Sequence, residues 1–232
     1  MSRASQRAPR IHERAQSRAE AEPLAAVAVA VDVVAFTLRD GRLHAALVAL
    51  EGQDENLFAF PGGRVRPEES LDVAARRCIE RHIPGHEFFV EQLYAFGEPH
   101  RDPSARVVSV AYLALVPNAG DSSLLHWYPV EELPPLAYDH GAVAEQAIER
   151  LRGKLRYTNI AFGLLCDPFT LADLQKLYEA ILGQSLDRRN FRKKILGLQL
   201  VEGIGSRRRG PHRPAELFRF AQRRLAHLET PF

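Results

Sequence analysis

The sequence has little cysteine and no long apolar run. The first shortage argues against a zinc site and a disulfide scaffold, and the second argues against a membrane span. Its two cysteines, Cys78 and Cys166, do not have the spacing of a zinc site, and two cysteines in 232 residues do not make a disulfide scaffold. They fit a reducing compartment, so we expect a cytoplasmic protein. No apolar stretch reaches the roughly 18 residues that a membrane span needs, and we expect no membrane partner.

Basic residues are scarce in the first part of the chain, and acidic residues are scarce in the last. Residues 24–150 contain 10 Lys and Arg against 19 Asp and Glu, whereas residues 151–232 contain 16 against 7. This segregation predicts two domains with different partners, the second of which binds a polyanion. A basic face that is only solvated is the alternative. Residues 1–23 contain five Arg and three Glu, which predicts a disordered basic tail and not a signal peptide.

Apolar periodicity predicts strands and helices in mixed order. The turn dipeptide Asp40-Gly41 separates two apolar runs and predicts a β-hairpin formed by Ala25–Leu38 and Leu43–Leu50. Further strands are predicted at Phe58–Phe60, Phe88–Phe96, Arg106–Val116 and Leu124–Tyr128, and helices at Glu69–His82 and Ala142–Leu155. Helices around a mixed sheet make an α/β sandwich.

The segment from Phe60 to Gly85 keeps the frame of a known motif but lacks most of its carboxylates. It resembles the Nudix box, G-x5-E-x7-R-E-U-x-E-E-x-G-U, in which U is a bulky apolar residue. With the first glycine placed on Gly63, Glu69 and Arg77 fall in register. The departures are Cys78 for the first Glu of the R-E pair, Arg81 and His82 for the paired glutamates, and Pro84 and Gly85 for the closing Gly and apolar residue.

The missing carboxylates remove the cation site that Nudix chemistry uses. Nudix hydrolases hold Mg²⁺ on helix carboxylates to neutralise a diphosphate and position the attacking water. Cationic Arg81 beside titratable His82 repels a metal and favours phosphate, because a guanidinium binds phosphate without an ion. Glu80 does not replace the pair, since it lies about 100° of helix rotation from Arg81. We therefore expect no hydrolysis and no required cofactor, with an active Nudix pyrophosphatase as the alternative.

A polar loop, His100–Arg106, joins two predicted strands and is a second candidate for ligand binding. Its arginines can pair with a diphosphate while Asp102 accepts hydrogen bonds from ribose hydroxyls. A solvated hairpin loop with a proline turn is the alternative. The residues expected to bind a small-molecule ligand are Arg64, Glu69, Arg77, Arg81, Arg101, Asp102 and Arg106.

The last part of the chain has the pattern of a small helical unit. Phe169–Leu182 predicts one helix with Thr170 as its N-cap, and Asp187–Leu198 predicts the next after a short break. The second helix has an apolar seam that includes Phe191 and Ile195, which leaves its basic side chains to solvent or to a partner. Two short helices around a tight turn predict a helix-turn-helix, the second helix being the one that reads the DNA groove.

Two short alternating strands follow, Leu200–Ile204 and Glu216–Phe220, with an arginine-rich segment between them. A basic hairpin beside a recognition helix is a wing, whose arginines neutralise phosphates or enter a minor groove. A peptide- or protein-binding winged helix is the alternative. The residues expected to bind DNA are Arg188, Arg189, Asn190, Arg192, Lys193, Lys194, Arg207, Arg208, Arg209 and Arg213.

These features together resemble the NrtR type of Nudix-related transcriptional regulators of bacteria, over roughly residues 24–221. The resemblance also rests on the strand Arg106–Leu115, the connector Tyr138–His140 and the helix end Arg150–Leu155. It implies a dimeric repressor of NAD-biosynthesis operons, a palindromic operator, and ADP-ribose or a related nucleotide as the effector that relieves repression. It also implies that the run from Asp187 to Lys194 is the DNA-reading helix and that the Nudix loop faces the effector.

The expected organisation has three segments. Residues 1–23 form the tail, residues 24–155 a Nudix-like effector-binding domain, and residues 156–232 a winged helix-turn-helix domain that binds double-stranded operator DNA. The expected switch is a change in the relative placement of the two winged helices of a homodimer when the effector binds. A nucleic-acid-linked scaffold without a small-molecule ligand is a further alternative.

Overall fold

The structure is a computed structural model that describes residues 26–50, 57–120, 124–208 and 214–232. A mixed β-sheet with helices comes first along the chain, and a small helical unit with a two-stranded hairpin follows it. The predicted α/β sandwich followed by a winged helix is therefore confirmed. Within these described ranges, no helix has the length and apolarity needed to cross a membrane.

Seven strands form the sheet, and its centre is a tight hairpin. The strands are β1 (Ala28–Arg39), β2 (Arg42–Ala49), β3 (Phe58–Ala59), β4 (Gly62–Arg64), β5 (Phe89–Phe96), β6 (Val107–Leu115) and β7 (His126–Pro129). Asp40 and Gly41 have φ values of 49° and 74°, as the turn of a two-residue hairpin requires. The order is β3-β2-β1-β6-β5, with β4 on β1 and β7 on β2, and β1 pairs parallel with β6.

The helices are α1 (Leu71–Glu80), α2 (His140–Tyr157), α3 (Leu171–Leu182) and α4 (Arg188–Gly197), with a short 3-10 helix at Ile160–Gly163. α1 and α2 cover opposite faces of the sheet. Successive residues of a strand point to opposite faces, so Val33 packs on the α1 side and Val34 on the α2 side. The apolar cluster on the α2 side continues into the winged helix, where it includes Phe169 and Phe218. The sheet and the winged helix therefore share one core.

The helices of the winged unit begin and end where their capping residues predict. Thr170 and Asp173 form a capping box at the start of α3, and Gly183 ends this helix in the left-handed conformation. The side chain of Asp187 caps α4 by accepting from the backbone N–H of Asn190.

The wing is longer than the sequence predicts. Its strands are β8 (Val201–Arg208) and β9 (Ala215–Phe220), so β8 continues four residues beyond the predicted end at Ile204. Gly205 has a φ of 71°, and the register shifts between Gly203 and Arg207. This glycine accommodates the irregularity, and pairing then resumes. Arg207 therefore belongs to a strand and not to the loop.

Candidate functional site

The segment around Gly62 and Gly63, which we call the glycine loop, forms the short strand β4 directly against β1. In the pairing of β4 with β1, Asp32 is opposite Gly62 and Val31 is opposite Gly63. A Cβ atom added at Gly62 would lie 2.5 Å from Oδ1 of Asp32 and 2.6 Å from the carbonyl oxygen of Val31. At Gly63 the nearest atom would be Sγ of Cys78, at 3.7 Å. Only position 62 therefore requires glycine for this close approach.

Glu69 and Arg77 fasten this loop to α1. The guanidinium of Arg77 donates to the two carboxylate oxygens of Glu69 at 2.9 and 2.5 Å and to the carbonyl oxygen of Arg64 at 3.2 Å. Glu69 also accepts from the backbone N–H of Arg66 at 2.8 Å. The hydrogen bonds from Arg77 lower the pKa of Glu69 to about 2. Both residues were predicted to bind a ligand, and the geometry shows them binding each other and shaping the loop.

Arg101 lies in the interior between two carboxylates. Its guanidinium donates to Asp139 at 2.9 and 2.6 Å and to Asp32 at 3.2 Å, and its side chain is only 4% exposed. The bidentate arrangement with Asp139 is a strong geometry for an arginine–carboxylate pair. Arg101 was predicted to pair with a diphosphate. In this arrangement Nε and Nη2 are already bonded to carboxylates.

Asp32 is the centre of this buried cluster. It accepts from the hydroxyl of Ser109 at 2.5 Å, and Nε2 of His140 lies 3.4 Å from its Oδ2. The backbone N–H of Phe60 donates to Nδ1 of His140 at 3.0 Å, so Nδ1 is an acceptor and Nε2 is the ring nitrogen that faces Asp32. Burial alone would raise the pKa of Asp32, but the hydrogen bonds of His140 and Ser109 and the charge of Arg101 hold it below its usual value.

Three of the arginines predicted to bind a ligand are at the surface. Arg64 in β4, Arg81 after α1 and Arg106 before β6 are exposed. Burial raises the pKa of the Cys78 thiol, and the nearby charges of Arg77 and Arg81 oppose this shift. The structure thus brings the predicted arginines of β4 and α1 to one basic rim around the glycine loop.

Asp102 lies beside this rim. Its Oδ1 accepts from the backbone N–H and the hydroxyl of Ser104 at 2.8 and 2.7 Å. These bonds, and then the charges of Arg101 and Arg64, lower the pKa of Asp102. The carboxylate is therefore ionised near neutral pH and closes a turn within its own loop, and its predicted contact with a ribose stays a prediction.

The positions of the missing Nudix glutamates are occupied by side chains that are not carboxylates. Cys78 is buried against the loop, Arg81 is exposed, and His82 is half-buried. Burial, and then the charge of Arg81, lowers the pKa of His82. Mg²⁺ prefers oxygen ligands, which these three side chains do not offer. In the part of the chain that the structure describes, no group of three or more His, Cys, Asp and Glu side chains is arranged to hold a metal ion.

The sequence prediction missed four members of the cluster, Asp32, Ser109, Asp139 and His140. One signal was present, because Asp32 interrupts an otherwise apolar strand, and a charge buried in a sheet needs a partner. The partner itself is not visible in the sequence, since only the register of β1 with β6 and the start of α2 bring these side chains together.

The basic side chains of α4 lie on three sides of the helix. Phe191 and Ile195 are buried and define its inward face. At about 100° per residue, Arg189 and Lys193 point away from that face, and both are exposed. These two side chains are therefore the ones that project farthest from the winged helix.

One flank of α4 faces the wing. Arg188 and Arg192 line a cleft of about 420 Å³ together with Arg207 of β8. Two predicted DNA-binding arginines already have acidic neighbours, since Arg192 lies 3.7 Å from Glu216 and Arg208 lies 2.8 Å from Asp173. On the other flank are the exposed side chains of Asn190 and Lys194. The remaining two predictions, Arg209 and Arg213, lie outside the described residues.

Comparison with known proteins gives consistent likenesses. A model of the NrtR DNA-binding winged helix domain matches residues 161–220. The chain is 32% identical over 202 residues to the ADPR responsive transcriptional repressor NtrR of Acinetobacter baylyi, a match that covers 82% of this chain and 81% of that protein.

Solved structures agree over most of the chain. Shewanella oneidensis NrtR is similar at 29% identity with a TM-score of 0.75, covering 88% of this chain and 99% of that chain. The same protein complexed with a 27mer DNA is similar at 30% identity with a TM-score of 0.73, covering 83% and 93%. A MutT/nudix family protein from Enterococcus faecalis, at 22% identity and a TM-score of 0.68 over 91% and 94% of the two chains, shares the fold. The chain belongs to the NrtR family of Nudix-related transcriptional regulators.

Proposed function

We propose that this protein is an ADP-ribose-responsive transcriptional repressor that binds palindromic operator DNA as a homodimer and is released by ADP-ribose or a related nucleotide. One observation carries the proposal: a single chain combines an exposed basic helix and wing with a Nudix-type sheet and helix whose box positions hold arginine, histidine and cysteine. The Acinetobacter relative is named an ADPR responsive transcriptional repressor, and the Shewanella relative was crystallised with DNA. NAD-biosynthesis genes are the proposed targets.

The proposed boundary between the effector-binding domain and the DNA-binding domain lies where the sheet and its helix α2 give way to the winged helix unit. Residues 24–155 bind the effector, residues 156–232 bind DNA, and residues 1–23 are a tail outside both. The boundary is supported by the end of α2 at Tyr157 and by the start of the matched winged helix segment at residue 161.

The effector pocket binds the diphosphate at the basic rim. Arg64 and Arg81 are exposed there, Arg106 is exposed before β6, and a guanidinium can bind a phosphate at two points. Glu69 and Arg77 act by holding the loop in place. Since the box offers no paired carboxylates for Mg²⁺, we propose that the nucleotide is bound and not cleaved.

The DNA interface is centred on the outward face of α4. Arg189 and Lys193 enter the major groove, while Arg188 and Arg192 contact the backbone on the side of the wing. In a dimer on a palindromic site, the two recognition helices need a spacing of about 34 Å or a multiple of it. A rotation of one winged helix relative to the other breaks this register.

The coupling between the two sites is carried first by α2. This helix begins at Asp139 and His140 in the buried cluster, and near its other end Nε of Arg152 donates to the carbonyl oxygen of Ile181 in α3 at 2.9 Å. Coupling is reciprocal, so operator DNA weakens effector binding by the same factor by which the effector weakens DNA binding.

Fluorescence anisotropy tests this function. A duplex selected from random-sequence DNA by the wild-type chain should be bound tightly and released when ADP-ribose is added. Arg192→Ala and Lys193→Ala should both weaken binding, and Arg192→Ala, which removes a proposed phosphate contact, should also make the slope of log affinity against log salt shallower by about 0.9. Arg42→Ala is the matched control, because Arg42 is an exposed arginine paired with Glu131 and Glu132 in the sheet.

Three results would contradict the proposal. Undiminished DNA binding by Arg192→Ala and Lys193→Ala, with an unchanged salt slope for Arg192→Ala, would remove α4 from the interface. Equal affinity for ADP-ribose with and without operator DNA would refute the switch. Release of AMP from ADP-ribose on addition of Mg²⁺ would favour the competing pyrophosphatase.

A further inference from the structure

The segment that follows β9 folds back across the end of α2. We refer to residues 221–232 as the strap. It lies beyond the 161–220 segment that matches the winged helix model, and its backbone is irregular apart from one β-bridge between Thr158 and His227. Its contacts connect the end of α2 to the recognition helix α4, which are the two elements that the proposed switch has to link.

Asn159 binds the strap with its backbone and its side chain. Its Nδ2 donates to the carbonyl oxygens of Gln222 and Arg224 at 3.3 and 2.9 Å, and its Oδ1 accepts from the backbone N–H of Ala226 at 2.8 Å. Its own backbone N–H donates to the carbonyl oxygen of Ala226 at 3.1 Å. Because Asn159 is only 6% exposed, a bond lost here is not easily replaced by water. This residue therefore fixes the position of the strap.

The strap also completes the end of α2. The last carbonyl groups of a helix have no partner within it. Here the backbone N–H of Leu228 donates to the carbonyl oxygen of Tyr157 at 2.8 Å, and that of Phe232 donates to the carbonyl oxygen of Arg156 at 2.6 Å. The ring of His227 stacks on Tyr157 with centroids 5.8 Å apart. A movement of this helix end therefore carries the strap with it.

Phe232 brings the strap into contact with the recognition helix. Its ring centroid lies 4.6 Å from that of Tyr178 in α3 and 5.8 Å from that of Phe191 in α4. Nζ of Lys194 lies 5.6 Å from the Phe232 centroid, within the range of a cation–π interaction. Phe232, Asn190 and Lys194 line one hollow of about 340 Å³. The ring thus supports the flank of α4 that faces away from the wing.

We propose that the strap positions the recognition helix and transmits displacements of α2 to it, with Phe232 as the contact residue. The proposal rests on the DNA binding and effector response proposed above. The start of α2 lies in the cluster of Asp32 and Arg101 beside the glycine loop. A ligand bound at the glycine loop therefore acts on one end of this helix. At the C-terminal end of α2 the strap moves with the helix. Through Phe232 it then shifts the side of α4 that carries Lys194.

The test compares variants of the full chain by two measurements. Phe232→Ala should bind the duplex selected by the wild-type chain about tenfold more weakly, a change within the usual range of site coupling. The weakening of DNA binding by ADP-ribose should also shrink, while calorimetry should show unchanged ADP-ribose affinity without DNA. Phe232→Tyr keeps the ring and should restore both properties. Glu229→Ala changes an exposed strap residue and serves as the matched control.

Asn159→Ala releases the strap at its other end without touching α4 and should give the same result as Phe232→Ala. If the wild-type chain binds and responds while both variants do so equally well, the strap proposal is overturned and the proposed function stands. If the wild-type chain binds no duplex, both proposals fail. Circular dichroism identifies an unfolded variant, in which case the other variant decides. Unfolding of both would give the strap a purely structural role and overturn the proposal.

Discussion

Replacing Arg101 with alanine tests whether its buried ion pairs hold the start of α2 against the sheet. The guanidinium contacts Asp139 at 2.6 Å and Asp32 at 3.2 Å, and the side chains of Arg101 and Asp32 are only 4% and 11% exposed. Removing one partner of a buried pair leaves an uncompensated charge and costs about 3–5 kcal/mol. The side chain of Asp139 is 21% exposed, so we expect a loss of about 3 kcal/mol, the lower end of this range. For a chain of this size that lowers Tm by roughly 6–12 °C.

The loss should depend on pH in a defined direction. The folded-state pKa of Asp32 lies below its usual value, so its contribution to stability is present above the ordinary carboxyl pKa of about 3.9 and is lost as pH falls through the folded value. Without Arg101 the folded pKa of Asp32 rises, because a stabilising positive charge is removed. The deficit of Arg101→Ala should therefore be largest near pH 7 and shrink as pH falls towards 4.

Urea unfolding followed by the fluorescence of Trp127 is the assay, because this single tryptophan lies in β7 of the sheet. Arg106→Ala is the matched control, since Arg106 is exposed and donates to the carbonyl oxygens of Glu98 and Val107 and not to a buried carboxylate among the described residues. The control should change stability by less than about 0.5 kcal/mol. Equal midpoints for the two variants at pH 7, or a deficit that grows on acidification, would refute the argument.

Two further substitutions test the loop and the winged helix. Gly62→Ala should cost about 1–3 kcal/mol, because the added carbon meets Asp32 and the backbone of Val31, whereas Gly63→Ala, next to Sγ of Cys78 at 3.7 Å, should change stability by less than about 0.5 kcal/mol. Equal Tm values for the two alanine variants would contradict the geometry. Thr170→Ala removes a capping box and should cost about 1 kcal/mol in urea unfolding, and an unchanged midpoint would show that the cap is not needed.

The local elements of the fold could be predicted because their signals are local. Asp40-Gly41 supplies the positive φ angles of the hairpin turn, and Thr170 and Gly183 mark the two ends of α3. The bulge that extends β8 depends on Gly205 and on pairing with β9, which a pattern of alternating residues does not contain. The confirmed elements are thus those whose ends depend on a few neighbouring residues.

The pairing of charges could not be predicted in the same way. Arg101, Asp32 and Asp139 are far apart in sequence, and only the sheet and the start of α2 bring them together. Arg101 therefore looked available for a ligand although two carboxylates hold it. Arg208 likewise looked available for DNA, yet it pairs with Asp173 at the start of α3. A sequence gives the charges of a surface, whereas the fold determines which of them are neutralised.

The apolar core shared by the sheet and the winged helix has a consequence for protein engineering. Leu151 and Leu155 of α2 belong to the same buried cluster as Phe36 in β1 and Leu177 in α3. A biosensor built by grafting this winged unit onto a foreign sensor module should keep α2 and its buried neighbours with the graft. Cutting the chain just before residue 161 would expose the apolar surface of the winged unit that packs on α2 and the sheet. An exposed apolar surface of this kind promotes aggregation.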